Sequence, residues 1–393
     1  MKSTISGLEI FYKHKKSLYR GQNVALLCHP ASVDSKYNHA VDLIASLDEI
    51  HLKAIFTPQH GYFGSLQDNM KEEGHFIHPD YKIPIYSLYS ETRIPTKDMF
   101  DGIDMLIVDL QDIGTRVYTY INTVAYCLKV CSTVGVDVLI LDRMNPIGRA
   151  IEGNILKDEY KSFVGEYPVP QRHGMTIGEL ALFYRDINNL DVNIEVIKVG
   201  NWYAKSLEKS CGMSFQVPPS PNMINLNEAI LYPGMVLLEA TNISEGRGTP
   251  LPFEIIGTPY INPKKIDFSQ IKELTDCKIY FREICFKPTF HKWRDIDCFG
   301  FQLHPFCVNF LKSYRIVIYI IKEIYKNHKD SFSFRTPPYE YEYEKDPFLL
   351  LTGNEYIKNW IVSSSDFYDL DKYLLNEEAN FSEIRKPYLL YDI

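Results

Sequence analysis

A group of polar side chains follows one short apolar segment of the chain, and their types could do chemistry on a small ligand. The apolar segment is Met105–Val108, and the residues after it include Asp109, Gln111, Asp112, Arg116, Tyr118 and Tyr120. Carboxyl groups transfer protons, a guanidinium binds anions through paired hydrogen bonds, and tyrosine rings pack against flat ligands. Each residue taken singly also fits a helix cap or a structural ion pair. The density of the group nevertheless predicts a ligand site.

Three further apolar segments end in polar residues in the same way. His29 follows the segment Asn23–Cys28. Gln59 and His60 follow Leu52–Thr57, and Asp142, Arg143 and Asn145 follow Val136–Leu141. Uninterrupted apolar runs are typical of parallel strands covered on both faces, and segments 40–48, 97–100 and 119–132 fit the crossover helices between them. Because the carboxyl ends of parallel strands meet at one sheet edge, the sequence predicts a doubly wound α/β domain with the ligand site at that edge.

The remainder of the chain predicts a second, smaller domain of α+β type. A strand over residues 192–199 completes the first domain, and the pattern then indicates strands over 278–287 and 300–308 and a helix over 313–327. Residues 1–200 and 201–393 are therefore the expected domains, with a cleft at their interface. Length supports two domains, since a chain of 393 residues exceeds the usual size of one.

Two local signals place further polar residues near turns. Thr176 precedes Glu179 by three positions, which is the spacing of a capping box, so a helix is expected to begin there with Arg172 and His173 ahead of its positive end. Gly246 and Gly248 flank Arg247, which predicts a tight turn whose backbone can approach a ligand closely.

Composition excludes several classes of partner. The net charge is −8 without a dominant basic stripe, so nucleic acid is not an expected ligand. No segment approaches the roughly 20 apolar residues of a membrane span, and the amino terminus has no apolar leader, so a cytoplasmic protein is expected. A secreted protein with its leader trimmed would have the same sequence. The eight cysteines are scattered, and Cys127 and Cys131 fit core packing better than metal binding.

The motifs of several enzyme classes are missing from the sequence. No glycine-rich GxGxxG or GxxxxGK[ST] segment, no GxSxG elbow and no HExxH pair occurs, so the sequence predicts neither an organic cofactor nor a metal. The remaining inventory of carboxylates, arginines, amides and tyrosines suits a sugar that carries a negative group, because glycosidic cleavage commonly uses two carboxyl groups. From the residues alone, a small polar and anionic ligand in an interdomain cleft is expected.

Six segments in order along the chain resemble the exo-β-N-acetylmuramidase family. They are Pro58–Gly61, Val108–Tyr120, Leu141–Pro146, Arg172–Leu180, Pro219–Met223 and Thr241–Thr249. The resemblance implies a Rossmann-like doubly wound parallel sheet, a second, smaller α+β domain and a cleft between them. It also implies a glycoside hydrolase that releases non-reducing-terminal β-linked N-acetylmuramic acid from peptidoglycan fragments without a cofactor. The lactyl carboxylate of that sugar would give an arginine its anionic partner.

One position departs from the family motif, in which Glu-His-Gly is usual whereas this chain has Gln59. An amide cannot act as a general acid or base, so three explanations stay open: another carboxylate acts, the sugar is a different N-acetyl sugar, or the protein binds without cleaving. The first is favoured, since an acetamido oxygen can serve as nucleophile beside a single protein acid. The predicted catalytic residues are Glu245, Asp109 and Asp112. The predicted substrate-binding residues are Gln59, His60, Gln111, Arg116, Tyr118, Arg143, Asn145, Arg172, His173, Asn222, Asn242 and Arg247.

Overall fold

The amino-terminal half of the computed structural model is built on a seven-stranded sheet. The structure describes residues 4–67, 70–202, 215, 217–269, 271, 279–306 and 311–391. The strands are β1 Asn23–Cys28, β2 His51–Thr57, β3 Phe76–Ile77, β4 Pro84–Ser87, β5 Met105–Asp109, β6 Asp137–Leu141 and β7 Ile194–Ile197. Their order is β3-β4-β2-β1-β5-β6-β7, and every neighbouring pair is parallel except β3 with β4. The predicted parallel α/β sheet is confirmed. Strands β3 and β4, whose apolar runs are short and flanked by prolines, had no sequence prediction.

Helices cover both faces of this sheet. They are α1 Gly7–Ile10, α2 Ala40–Ala45, α3 Tyr120–Val134 and α4 Ile177–Ile187. The predicted capping box is confirmed, because the Thr176 side chain accepts from the Glu179 backbone N–H and the Glu179 side chain accepts from that of Thr176. Segment 97–100 is a single 3₁₀ turn. Cys127 and Cys131 lie fully buried on α3, as expected for core packing.

The carboxyl-terminal half combines an antiparallel sheet with helices. Strands β8 Ile255–Thr258, β9 Ile279–Phe286 and β10 Cys298–Pro305 pair in the order β8-β10-β9. The helices are α5 Leu226–Met235, α6 Ser313–Asn327, α7 Pro347–Thr352, α8 Glu355–Val362 and α9 Phe367–Arg385. This confirms the smaller α+β unit. Residues 278, 307 and 308 of the predicted strands lie outside the described residues, as do Cys211, Cys277 and Cys307.

The carboxyl-terminal segment returns to the first sheet and joins the two halves. On α9, Nη1 of Arg385 donates to the backbone carbonyls of Arg149, His173 and Gly174 at 3.0 Å each. The Tyr391 hydroxyl donates to Asp142 at 2.6 Å, beyond the end of β6. The domain boundary at residue 200 stays a prediction. The contacts nevertheless hold both halves against the carboxyl edge of the parallel sheet.

Candidate active site

A small buried pocket lies where the two halves meet at that sheet edge. The first half supplies its floor from the segment after β2 and the segment before α3, and the second half covers it. The lining residues are Gln59, His60, Val117, Tyr118, Thr119, Tyr120, Val164, Ser220, Asn222, Met223, Tyr232, Glu239, Arg247, Phe253, Tyr339 and Glu340. Its cavity volume is about 30 Å³, which has room for only one or two waters. A sugar therefore enters only if the walls move apart.

One wall of the pocket is a hydrogen-bonded cluster around the carboxyl group of Glu340. The Tyr89 hydroxyl donates to Glu340 Oε2 at 2.6 Å, and Gln59 Nε2 lies 3.3 Å from Glu340 Oε1. Burial and, to a smaller extent, the charge of Glu239 raise the pKa of Glu340. The hydrogen bonds from Tyr89 and Gln59 and the charge of Arg247 lower it, and the result is a pKa of about 7. A carboxyl group in this setting holds a proton near neutral pH and can give it up.

The amide of Gln59 has its orientation set by its neighbours. The Thr119 hydroxyl donates to Gln59 Oε1 at 2.6 Å, so the amide NH₂ faces the opposite side. There it donates to the Tyr89 hydroxyl at 3.2 Å as well as toward Glu340. Gln59 is therefore a positioning group between two pocket residues, and the amide itself transfers no proton.

A second carboxylate, Glu239, also faces the pocket from the carboxyl-terminal half of the molecule. Arg247 Nη2 donates to Glu239 Oε1 at 2.7 Å, and the Tyr339 hydroxyl donates to Glu239 Oε2 at 2.7 Å. Burial by itself would lower the pKa of Arg247, but the charges of Glu239 and Glu245 outweigh burial and raise it. The pocket thus holds a charged pair beside the protonatable Glu340. Most glycoside hydrolases cleave the glycosidic bond with two carboxyl groups that lie in different environments.

Arg247, on the pocket wall, has N–H groups that donate no hydrogen bond to the described residues. Its Nη1 and Nε have no hydrogen-bond partner among the described residues, although both atoms are buried. The predicted turn explains its placement, because Gly246 and Gly248 have φ angles of 84° and 81°, a left-handed conformation that favours glycine. A buried guanidinium with unused N–H groups is suited to binding a carboxylate of a ligand.

His60 presents an unprotonated ring nitrogen on the same floor. Its Nδ1 lies 2.6 Å from the Leu66 carbonyl oxygen and donates to it, which leaves Nε2 with a lone pair. Burial lowers the pKa of His60 to about 4, against the effect of the Leu66 hydrogen bond and together with the charge of Arg247. His60 is therefore neutral at pH 7 and can accept a hydrogen bond.

Aromatic rings also line the pocket. The ring centroids of Tyr118 and Tyr120 are 4.7 Å apart, and Tyr232 lies 5.9 Å from Tyr118 and 4.8 Å from Phe253. The Tyr120 hydroxyl donates to the Pro219 carbonyl at 2.5 Å, which holds this wall to the 219–223 segment. Aromatic faces of this kind pack against the apolar face of a sugar ring.

Family models match both halves of the chain. The amino-terminal model of the exo-beta-N-acetylmuramidase NamZ matches residues 24–227, and the carboxyl-terminal model matches residues 230–391. The chain belongs to the NamZ family. The peptidoglycan beta-N-acetylmuramidase NamZ of Bacillus subtilis (strain 168) is 35% identical over 387 residues, which are 98% of this chain and 91% of that protein.

Solved structures of two DUF1343 family proteins from Bacteroides fragilis NCTC 9343 share the fold. One is 27% identical, with a TM-score of 0.87 and coverage of 99% of both chains. The other is 26% identical, with a TM-score of 0.77 and coverage of 100% of this chain and 99% of that one. The pocket lies between the regions matched by the two NamZ family models and takes lining residues from each.

Five of the predicted site residues line this pocket, and their roles on a substrate stay predictions. They are Gln59, His60, Tyr118, Asn222 and Arg247. Asn222 Nδ2 also donates to the Gln67 carbonyl at 2.9 Å, so it fastens the loop that follows β2 over the floor. The sheet edge therefore does bring distant polar segments together, as expected.

The three predicted catalytic carboxylates are not among the residues that line this pocket, and their catalytic role stays a prediction. Asp109 is fully buried and receives two hydrogen bonds from Arg143, at 2.5 and 2.8 Å. Asp112 accepts from the Gly114 backbone at 2.7 Å. Glu245 is fully buried with Lys292 Nζ at 2.7 Å. Each is held by protein groups at the sheet edge or beneath the pocket.

Two predicted anion-binding arginines also turn away from the pocket. Arg116 is fully buried and donates to the carbonyls of Asn154 and Val169 at 2.9 Å and of Leu351 at 3.0 Å. Arg172 donates to the carbonyls of Leu311 and Ile147. Burial lowers the pKa of each of these guanidinium groups to about 10. The N–H groups of both arginines donate to backbone carbonyls, because buried carbonyl oxygens need hydrogen-bond donors.

The remaining predicted binding residues have structural partners. Gln111 Nε2 donates to the carbonyls of Asp112 and Met144, and Asn145 Nδ2 donates to that of Met175. His173 Nε2 lies 3.6 Å from Asp112 Oδ2. Asn242 Nδ2 donates to the Ser331 carbonyl at 2.7 Å. Gln111, Asn145 and His173, together with Arg143, which Asp109 holds, connect the loops around the sheet edge, whereas Asn242 connects segments of the carboxyl-terminal half.

Sequence reasoning selected neither of the two carboxyl groups that face the pocket. Glu239 belonged to the inventory of polar groups without an assigned role, and Glu340 lies in a segment rich in tyrosine and glutamate near the carboxyl end. The available signal was the alternation of these two residue types over 339–344, which an exposed strand would also show. Among the described residues there is no cluster of three metal-ligating side chains and no helix long and apolar enough to cross a membrane.

Proposed function

We propose that the chain is an exo-β-N-acetylmuramidase, a glycoside hydrolase that removes N-acetylmuramic acid from the non-reducing end of peptidoglycan fragments. The observation that carries the proposal is the 35% identity, over 98% of this chain, with a Bacillus subtilis protein that is named peptidoglycan beta-N-acetylmuramidase. The pocket supports the proposal, because its two carboxyl groups, its arginine and its aromatic wall match the needs of an anionic sugar.

The lactyl carboxylate of N-acetylmuramic acid has a specific partner in this pocket. Arg247 already neutralises Glu239 through Nη2, and its buried Nη1 has no partner among the described residues. A charge-assisted hydrogen bond to a carboxylate would satisfy that donor. A β-N-acetylglucosaminide lacks the lactyl group and would leave the donor unsatisfied, so this site should discriminate between the two sugars.

The test compares two chromogenic substrates that differ only in the lactyl ether, a β-N-acetylmuraminide and a β-N-acetylglucosaminide. We expect release from the muraminide with a kcat/KM higher by about 10–100-fold, the range that one charged hydrogen bond supplies. Arg247→Lys should remove most of this preference, whereas Lys287→Met, which changes a largely exposed cation, should not. Equal rates on both substrates would refute lactyl recognition by Arg247.

Gln59 supports a second candidate, a protein that binds muropeptides without cleaving them. Its amide stands in the pocket wall, where it donates toward Glu340. Calorimetric binding of N-acetylmuramic acid by a parent protein that releases no sugar from either substrate would favour the binder. In that case Gln59→Glu should create activity. In an active parent, the same change should alter the pH dependence.

A further inference from the structure

We propose that Glu340 is the catalytic acid that protonates the glycosidic oxygen, and that Tyr89 and Gln59 position it. This inference rests on the proposed function. The two carboxyl groups that face the pocket are Glu239 and Glu340, and their neighbours differ. Arg247 and the Tyr339 hydroxyl both donate to Glu239, so both of its oxygens are already used as acceptors, one of them from a cation. Among the residues that the structure describes, no cation donates a hydrogen bond to Glu340, and its donors, Tyr89 and Gln59, are neutral.

The hydrogen bonds leave Glu340 able to release a proton into the pocket. Tyr89 occupies Oε2 at 2.6 Å, whereas the contact of Gln59 Nε2 with Oε1 is long, at 3.3 Å. Oε1 of Glu340 is therefore the oxygen that remains available for a further hydrogen bond. The charged and titratable groups that act on Glu340 are Tyr89, Glu239 and Arg247. Burial and the charge of Glu239 raise its pKa, against the hydrogen bonds from Tyr89 and Gln59 and the charge of Arg247, and the result is a pKa of about 7. An acid with such a pKa is about half protonated at neutral pH, which suits a group that gives up and regains a proton in each turnover.

The backbone around Glu340 is held in an unusual conformation. Glu340 and Tyr341 have φ angles of 48° and 65°, which are left-handed values that residues with a Cβ atom rarely adopt. Two backbone hydrogen bonds of 2.9 Å between Tyr339 and Glu342 close this turn. Met70 N–H donates to the Tyr89 hydroxyl at 2.8 Å, so the partner of Glu340 is itself anchored. The turn points Glu340 back into the pocket.

The chemical step uses only the substrate, water and this carboxyl group. The proton on Glu340 moves to the glycosidic oxygen, the C1–O bond breaks, and its electron pair stays on the departing oxygen. The substrate's own acetamido oxygen forms a bond to C1 in its place. Water then attacks C1, and the bond between C1 and the acetamido oxygen breaks with its electron pair returning to the acetamido group. The hydroxyl of the water remains on C1, and its proton returns to the Glu340 carboxylate. Glu239 lies in the same pocket as a negative charge that stabilises the cationic sugar.

The decisive experiment varies the leaving group of the muraminide. Glu340→Gln should lower kcat/KM about 10²–10⁴-fold on an alkyl or disaccharide muraminide, whose leaving oxygen needs a proton. On a dinitrophenyl muraminide, whose leaving group departs unprotonated, the loss should be less than about 10-fold by the same reasoning. Glu344→Gln is the matched control, because Glu344 is an exposed glutamate on the same segment. It should behave like the parent on both substrates.

Tyr89→Phe provides a second readout in a variant that keeps the carboxyl group. The hydrogen bond from Tyr89 lowers the pKa of Glu340, so its removal should move the basic limb of the kcat/KM profile to higher pH. A merely structural role of Glu340 would lower activity equally on both leaving groups and would leave this limb in place. Either result would overturn the assignment.

The failure of this inference differs from that of the proposed function. If the parent releases no sugar but binds it, the hydrolase proposal itself fails. If the parent is active and Glu340→Gln keeps parental rates on the alkyl muraminide, only the assignment of Glu340 fails. If Glu340→Gln does not fold, the pH profile of Tyr89→Phe decides.

Discussion

Replacing Glu245 by glutamine should damage the stability of the protein, because this carboxylate neutralises a buried cation. Lys292 Nζ lies 2.7 Å from Glu245 Oε2, and His291 Nδ1 and Arg247 Nε lie 3.4 and 3.8 Å from Oε1. Lys292 also donates to the carbonyls of Leu238, Thr241 and Ile243. The Glu245–Lys292 pair therefore connects the turn around Glu245, which precedes β8, to the backbone of residues 238–243.

The size of the effect follows from the pKa of Glu245. Burial alone would raise this pKa, but Lys292, His291 and Arg247 outweigh it and lower the pKa from an ordinary 4.5 to about 2. A drop of about 2.5 corresponds to roughly 3 kcal/mol of folding free energy. Removal of one partner of a buried ion pair costs about 3–5 kcal/mol in other proteins, which agrees.

The assay is urea unfolding of the parent, Glu245→Gln and the exposed control Glu344→Gln. With a urea dependence of about 1–3 kcal/mol per molar, the midpoint of Glu245→Gln should fall by roughly 1–3 M. Because the folded pKa is depressed, the carboxylate stabilises fully above pH 4.5, and this contribution disappears as the pH falls through about 2. The difference between parent and variant should shrink over that window. A variant with the parental midpoint but no activity would refute the structural role and restore Glu245 as a catalytic candidate.

Three further predictions concern residues around the sheet edge. Arg116→Met leaves three buried carbonyls without this donor, so the free energy of unfolding, measured in urea, should fall by about 1–3 kcal/mol per lost bond at constant KM; a raised KM in a stable variant would put Arg116 on the substrate. Arg143→Met leaves Asp109 buried and unpaired at a cost of about 3–5 kcal/mol, and Asp109→Asn added to it should recover part of the loss, unless the two are uncoupled. Asn222→Ala frees the Gln67 carbonyl, so amide exchange over residues 60–67 should speed up; unchanged exchange would show that this contact does not restrain the loop.

The parts of the fold that depend on local sequence could be predicted from it. The apolar runs of β1, β2, β5 and β6 are buried on both faces, and that pattern defines parallel strands whatever the rest of the chain does. The capping box at Thr176 and the positive φ angles at Gly246 and Gly248 are equally local. These signals work because they arise from contacts within a few residues or from the burial of a single strand.

The predicted site residues show the same distinction between local signals and long-range packing. The sequence placed Gln59 and His60 at the predicted site because strand ends of a parallel sheet share one edge, and it placed Arg247 there through the glycine turn and the family resemblance. It could not separate an arginine that binds backbone carbonyls, such as Arg116, from one with a free N–H in a pocket, because both have the same side chain. Gln59 and Glu340 are 281 positions apart, and only the packing of the two halves brings them to 3.3 Å. Burial and ion pairing, which decide whether a carboxyl group holds a proton, exist only in the folded protein.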